Sequence, residues 1–134
     1  MRLRPLTEEE ASALEDGLKL FEKLSAASRP FGVKAVKDVY SEFLVGDVEF
    51  KAGEIAIGLA FGQIMVDNHN YEWVRVSDEY GEETVVAIKG LKLFCSPVNM
   101  VQKRLERSEE VDFQELLDGT VLILEKKAQE VDFR

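Results

Sequence analysis

The stretch Glu54-Ile-Ala-Ile-Gly-Leu-Ala-Phe-Gly-Gln-Ile-Met-Val66 limits the fold more than any other part of the chain. From Ile55 to Val66 the only polar side chain is Gln63, so a helix here has no stripe to turn toward water. A helix that is apolar all round has to be covered all round. Crossing a bilayer takes roughly 20 such residues, and this run is shorter. It is therefore expected as the central core helix of a soluble domain, with other elements on several sides. Gly58 and Gly62 fall on one face, and each costs about 1 kcal/mol of helix propensity relative to Ala. What they permit is close backbone approach by a neighbour, since neither carries a Cβ.

Asp67-Asn-His-Asn70 is a turn cluster that stops this helix. Tyr71–Ser77 and Thr84–Ile88 are rich in β-branched and aromatic residues and read as strands. Asp78-Glu-Tyr-Gly-Glu-Glu83 joins them, with Gly81 free to take a positive φ. Lys89-Gly90 makes a second tight turn into Leu91–Cys95. The expected result is a three-stranded antiparallel meander with one face on the core helix and Trp73 largely buried.

Ahead of the core helix, Thr7 and Glu10 form a capping box, and Glu8, Glu9 and Glu10 suit the positive end of a helix dipole. Ala11, Leu14, Leu18, Phe21 and Leu24 recur at helical spacing to about Ala27, with Glu15 and Glu22 on the wet face. Pro30 ends that helix. Val33, Val36, Tyr40 and Phe43 mark a second helix closing near Gly46, and Asp47–Ala52 is a linker. After the meander, Ser96-Pro97 starts a helix with Val98, Val101 and Leu105 inward and Lys103, Arg104 and Arg107 outward. Asp112 and Glu115 cap a last helix, with Phe113, Leu116, Leu117, Val121 and Leu124 as its buried stripe. Val131–Arg134 is expected to fray. The reading is an α+β fold: three N-terminal helices, a three-stranded antiparallel meander and two C-terminal helices, in one domain over residues 1–134.

A formal charge of −9 opposes sequence-independent binding to nucleic acid and to anionic membranes, and leaves basic partners open. Cys95 is the single cysteine, which favours a reducing compartment, and no signal-peptide pattern opens the chain, so a cytoplasmic location is expected.

Candidates for chemistry are few. His69 is the only histidine and sits among turn residues with no nucleophile elbow nearby. Cys95 precedes a helix start, where a thiol is activated, but a cysteine filling a small core position is the commoner case. One His and one Cys cannot make a structural zinc site. Asp78, Glu79, Glu82 and Glu83 offer oxygen ligands without the spacing of a known cation loop. Neither a P-loop nor a dinucleotide fingerprint is present, so no cofactor and no metal is expected.

Gly58-Leu-Ala-Phe-Gly62, Trp73-Val-Arg-Val-Ser-Asp-Glu-Tyr-Gly81, Phe94, Pro97 and Met100-Val-Gln-Lys-Arg104 with Glu106 together resemble the bacterial family catalogued as domain of unknown function 3806. The resemblance covers roughly residues 53 to 118, and W-x4-DEYG is its most specific part. The family's usual Phe-Pro after the third strand is interrupted here by Cys95-Ser96. The resemblance implies no activity, cofactor or catalytic residue.

The residues themselves mark one candidate surface, formed by Trp73, Asp78, Glu79, Tyr80, Gly81, Glu82 and Glu83 with Lys103 and Arg104. Two readings compete there. One is a charge clamp between an inward carboxylate of Asp78 or Glu79 and Lys103 or Arg104. The other is an acidic rim with an aromatic anchor that binds a basic peptide or protein. The expected function is non-enzymatic binding or regulation. The alternatives are a divalent-cation-dependent hydrolase using the hairpin carboxylates and an immunity-type protein neutralising a basic toxin.

Overall fold

The computed structural model describes residues 1–46 and 48–130. In chain order the elements are β1 (Arg2–Arg4), α1 (Glu8–Ser25), α2 (Val33–Gly46), α3 (Lys51–Asn68), β2 (Tyr71–Asp78), β3 (Gly81–Ile88), β4 (Phe94–Cys95), α4 (Pro97–Glu106) and α5 (Phe113–Gln129). The α+β class holds, and two details differ from expectation. The sheet has four antiparallel strands in the order β1-β2-β3-β4, so β1 precedes the helices and lies on the free edge of β2. The last strand shrinks to Phe94–Cys95. Asp47 of the expected linker and the fraying expected at Val131–Arg134 lie outside the described residues.

The apolar run forms α3, which starts earlier and ends later than its apolar residues require. It buries Gly53, Ala56 to Gly62, Ile64 and Met65. Its neighbours are α1, α2, α4 and the sheet, so the demand for cover on every side is met by four separate elements. Among the described residues no helix is long and apolar enough to cross a membrane.

Both glycines are packed against a neighbour. A Cβ at Gly58 would stand 2.5 Å from Val98 Cα, and one at Gly62 would stand 2.4 Å from the Trp73 ring and 2.8 Å from Pro97 Cγ. Trp73 is half-buried rather than sealed, and its Nε1 donates to Gln63 Oε1 at 3.0 Å. The lone polar side chain of the apolar run thus satisfies the indole N–H.

Phe113, at the start of α5, packs edge-on against Tyr40 of α2 and Phe61 of α3, with ring centroids 5.1 and 5.4 Å apart. Tyr40 Oη donates to the Glu109 carbonyl at 2.6 Å and Lys37 Nζ to the Val111 carbonyl at 2.8 Å, which ties the α4–α5 connection onto α2. Glu15 and Glu22 are not simply a wet face. Arg29 donates to Glu15 at 2.6 and 2.7 Å and to Glu22 at 3.1 Å, folding the α1–α2 connection back on α1.

The strand faces follow the pleat. Tyr71, Trp73, Val86 and Ile88 pack with the helices, while Val74, Val76, Val85 and Ala87 form a second apolar cluster with Leu3 and Phe94.

Candidate functional site

The hairpin is tighter than expected. β2 runs to Asp78 and β3 begins at Gly81, so the loop is only Glu79-Tyr80. Gly81 takes φ 128°, a region closed to most side chains, and the Tyr80 amide donates to Asp78 Oδ1 at 2.8 Å. Asp78 therefore braces the turn. Glu79 is exposed, and Tyr80 is 89% exposed at the tip.

The expected clamp to α4 is absent. Among the described residues neither Asp78 nor Glu79 pairs with Lys103 or Arg104. Lys103 is exposed, and Arg104 Nη1 donates to the Met100 carbonyl at 3.0 Å on a face of α4 turned toward α5. Trp73 lies on the helix-packed face of the sheet, away from the hairpin tip. The nine residues marked in the sequence therefore do not form one surface.

The hairpin is instead held to α1 and β1. Arg4 Nη1 and Nη2 donate to the two Glu10 oxygens at 2.7 and 2.9 Å. Arg75 Nε stands 3.3 Å from Glu10 Oε2 and 3.9 Å from Glu82 Oε2, and Arg4 Nη2 is 3.6 Å from Glu82. The buried Arg75 Nε makes no hydrogen bond, so its attraction to the two carboxylates is one of charge alone. Its Nη1 donates to Thr84 Oγ1 at 3.0 Å, directly across the ladder from it. The inward hairpin carboxylate is thus Glu82. Its partners could not be read from spacing, because Arg4 reaches it only once β1 has paired with β2, and Arg75 only once β2 has paired with β3.

This network forms one wall of an open cleft of about 560 Å³ between α1, α3, the hairpin and the start of α4. Its floor is apolar, made by Leu14, Ile55, Leu59 and Val98, with Ile55 39% exposed. Around the floor stand Glu9, Glu10, Glu82, Glu83, Thr84, Asn99 and Gln102. Glu10 is held at a pKa of about 2, first by its hydrogen bonds from Arg4 and then by the Thr7 amide. Glu10 and Glu82 are neutralised within the network, whereas Glu9 has no ion pair among the described residues; Glu83, opposite Val76 in the ladder, turns its carboxylate to the other face of the sheet. The sequence marked Glu82 and Glu83 but missed Glu9, Asn99 and Gln102. The i, i+3 spacing of Asn99 and Gln102 on α4 was the available signal, since it places two amides on one face.

The other candidates for chemistry, Cys95 and His69, do not line the cleft. Cys95 Sγ lies 3.7 Å from Met65 Sδ on the core face of β4, and burial pushes its thiol up to about 12. Ser96 precedes Pro97 as expected, but its side chain makes no cap hydrogen bond. His69 stacks on Tyr71 with centroids 5.4 Å apart. Among the described residues no three His, Cys, Asp or Glu side chains are gathered closely enough to hold a metal ion.

A family model described as "Domain of unknown function (DUF3806)" matches residues 33–116, which run from the start of α2 to the first turn of α5. It therefore covers every wall of the cleft except α1. Among curated proteins nothing matches the chain. A crystal structure from Bacteroides thetaiotaomicron VPI-5482 at 1.50 Å resolution is similar with a TM-score of 0.71 and 15% sequence identity. The match covers 90% of this chain and 47% of that one, so the present chain spans about half the length of that protein. At this identity the likeness is one of fold.

Proposed function

The chain belongs to the DUF3806 family, and from that premise we propose that it is a binding domain whose cleft between α1 and the β2–β3 hairpin takes a basic peptide or a basic protein segment. The observation that carries the reading is the composition of the cleft. An apolar floor of Leu14, Ile55, Leu59 and Val98 lies beneath the Glu9 carboxylate, which has no ion pair among the described residues. Apolar floors with a few placed polar groups are the usual make-up of recognition sites. Asn99 and Gln102 supply donors and acceptors for a backbone, and the exposed Tyr80 extends the contact beyond the cleft. The rest of the molecule supports the sign of the partner, because the net charge of −9 steers cations toward it.

The test uses the intact domain and an array of short peptides that differ in Lys and Arg content, with binding read by fluorescence anisotropy. Basic peptides carrying an apolar residue should bind, and acidic peptides of the same length should not. Glu9→Gln should weaken binding by up to roughly five-fold with little change in melting temperature, since an exposed charge contributes about 0.2–1 kcal/mol. Ile55→Ser should weaken it independently of salt, while raised salt should weaken the wild type. Equal binding of acidic and basic peptides, or a Glu9→Gln variant indistinguishable from wild type, would refute the proposal.

A further inference from the structure

Helix α5 carries a second surface that the cleft does not use. It buries only Phe113, Leu117 and Leu124, whereas Leu122 and Ile123, near its midpoint, are 62% and 56% exposed. Exposed apolar side chains standing singly need no explanation, but these two belong to a pattern. Leu116, Gly119, Ile123 and Lys126 recur at spacings of three, four and three, which sets them in one stripe along the helix, with Leu122 and Lys127 beside it. Alternating spacings of three and four form the seam along which two helices pack. Gly119 lies in this stripe with nothing within 4 Å of where its Cβ would be, so another backbone can come close at the middle of the helix.

The charges at the two ends of the stripe are opposite. Glu115 stands in the first turn and Lys126 and Lys127 in the last, and none of the three has an ion pair among the described residues. A helix that is acidic at one end and basic at the other is complementary to itself when reversed. We propose that this face of α5 pairs with the same face of a second copy of the chain, antiparallel about a two-fold axis. With Gly119 placed against Ile123 of the second copy, the same register brings Glu115 alongside Lys126 of the second copy, on the same flank of the stripe. By symmetry each contact occurs twice, as a closed two-fold interface requires. The grooves flanking α5 deepen the contact, since Ile123, Thr120 and Leu116 also line the hollow between α5 and α4 beside Met100. The second copy is favoured over an unrelated partner because one register matches both the glycine to the isoleucine and the acid to the base. This surface is separate from the cleft, so the two proposals stand or fall apart.

The experiment is sedimentation velocity on the full chain over a wide concentration series at low salt, with circular dichroism as the control for folding. The wild type should pass from monomer to a dimer of twice the 15.2 kDa chain mass. Ile123→Glu should remain monomeric with an unchanged spectrum, because the side chain it replaces is exposed. Glu115→Lys should raise the dissociation constant by roughly ten-fold, since it places like charges together at both ends of the pair. Combining Glu115→Lys with Lys126→Glu and Lys127→Glu should restore the dimer, which a merely sticky apolar patch would not do. A wild type that stays monomeric throughout, a dimer indifferent to Ile123→Glu, or a charge reversal that fails to restore pairing would each overturn the proposal.

Discussion

Glu10 accepts hydrogen bonds from Arg4 Nη1 at 2.7 Å, from Arg4 Nη2 at 2.9 Å and from the Thr7 amide at 2.9 Å, while the Glu10 amide donates to Thr7 Oγ1 at 3.1 Å. A residue that completes a helix cap therefore also anchors β1 and faces Arg75 of the sheet. Its folded pKa of about 2 lies below the ordinary 4.5, so its bonds favour the fold above that ordinary value. As pH falls from about 4.5 through 2 this contribution is lost. Glu10→Gln should accordingly be less stable than wild type at neutral pH, with the difference shrinking across that window in acid-unfolding curves. A constant difference down to pH 2 would mean that the Arg4 pairing is immaterial. Cys95 gives the opposite case. Its thiol is raised by burial, so native protein at neutral pH should resist alkylation and become reactive only on unfolding. The cap at Thr7 was legible in the sequence because its two members lie three residues apart. The pairing of Glu10 with Arg75 was not, because 65 residues separate the two and only the fold brings them together.

Packing against α3 distinguishes one glycine from another. At Gly58 an added methyl meets the Val98 backbone and the Pro97 carbonyl, none of which can give way without moving the start of α4. At Gly17 of α1 it meets only the Leu59 side-chain end, which is flexible. Gly58→Ala should therefore destabilise by roughly 1–3 kcal/mol through overpacking. Gly17→Ala should lose far less, because the gain of about 1 kcal/mol in helix propensity offsets the adjustment of Leu59. Urea midpoints of the two variants decide this, and equal losses would show that α4 yields as readily as a leucine. The close approach at Gly58 and Gly62 followed from the sequence, since glycine has few other uses inside a buried helix. Strand β1 did not, because Arg2-Leu-Arg4 is too short and too charged to carry a strand signal. Its conformation comes from pairing with Arg75–Ser77, a contact of high sequence separation.

Over the whole molecule, cohesion falls away from α3. That helix contributes an unbroken buried run from Ala56 to Gly62, while α5 contributes three buried residues and α4 two. The cleft inherits this order, because its floor residues Ile55 and Leu59 sit on α3 while its rim comes from the α1 start, the hairpin and α4. The central helix was legible in the sequence, but the hairpin pairing was not: Glu82 meets Arg4 and Arg75, and no hairpin carboxylate meets α4 among the described residues. Lys103 and Arg104 drew attention as charges, although the turn of α4 directs the neutral Asn99 and Gln102 into the cleft. A rigid floor under a looser rim has a measurable signature in native-state hydrogen exchange. Amides of residues 56–65 on α3 should exchange only through global unfolding, since freeing them exposes the entire core. Amides in the second half of α5, beyond its last buried residue Leu124, should open locally and exchange roughly 100-fold faster or more. The measurement belongs at protein concentrations low enough to keep the chain monomeric, so that any pairing through α5 does not add protection. Equal protection of α3 and the end of α5 under those conditions would show one cooperative unit, and the ranking of elements by burial around α3 would be wrong.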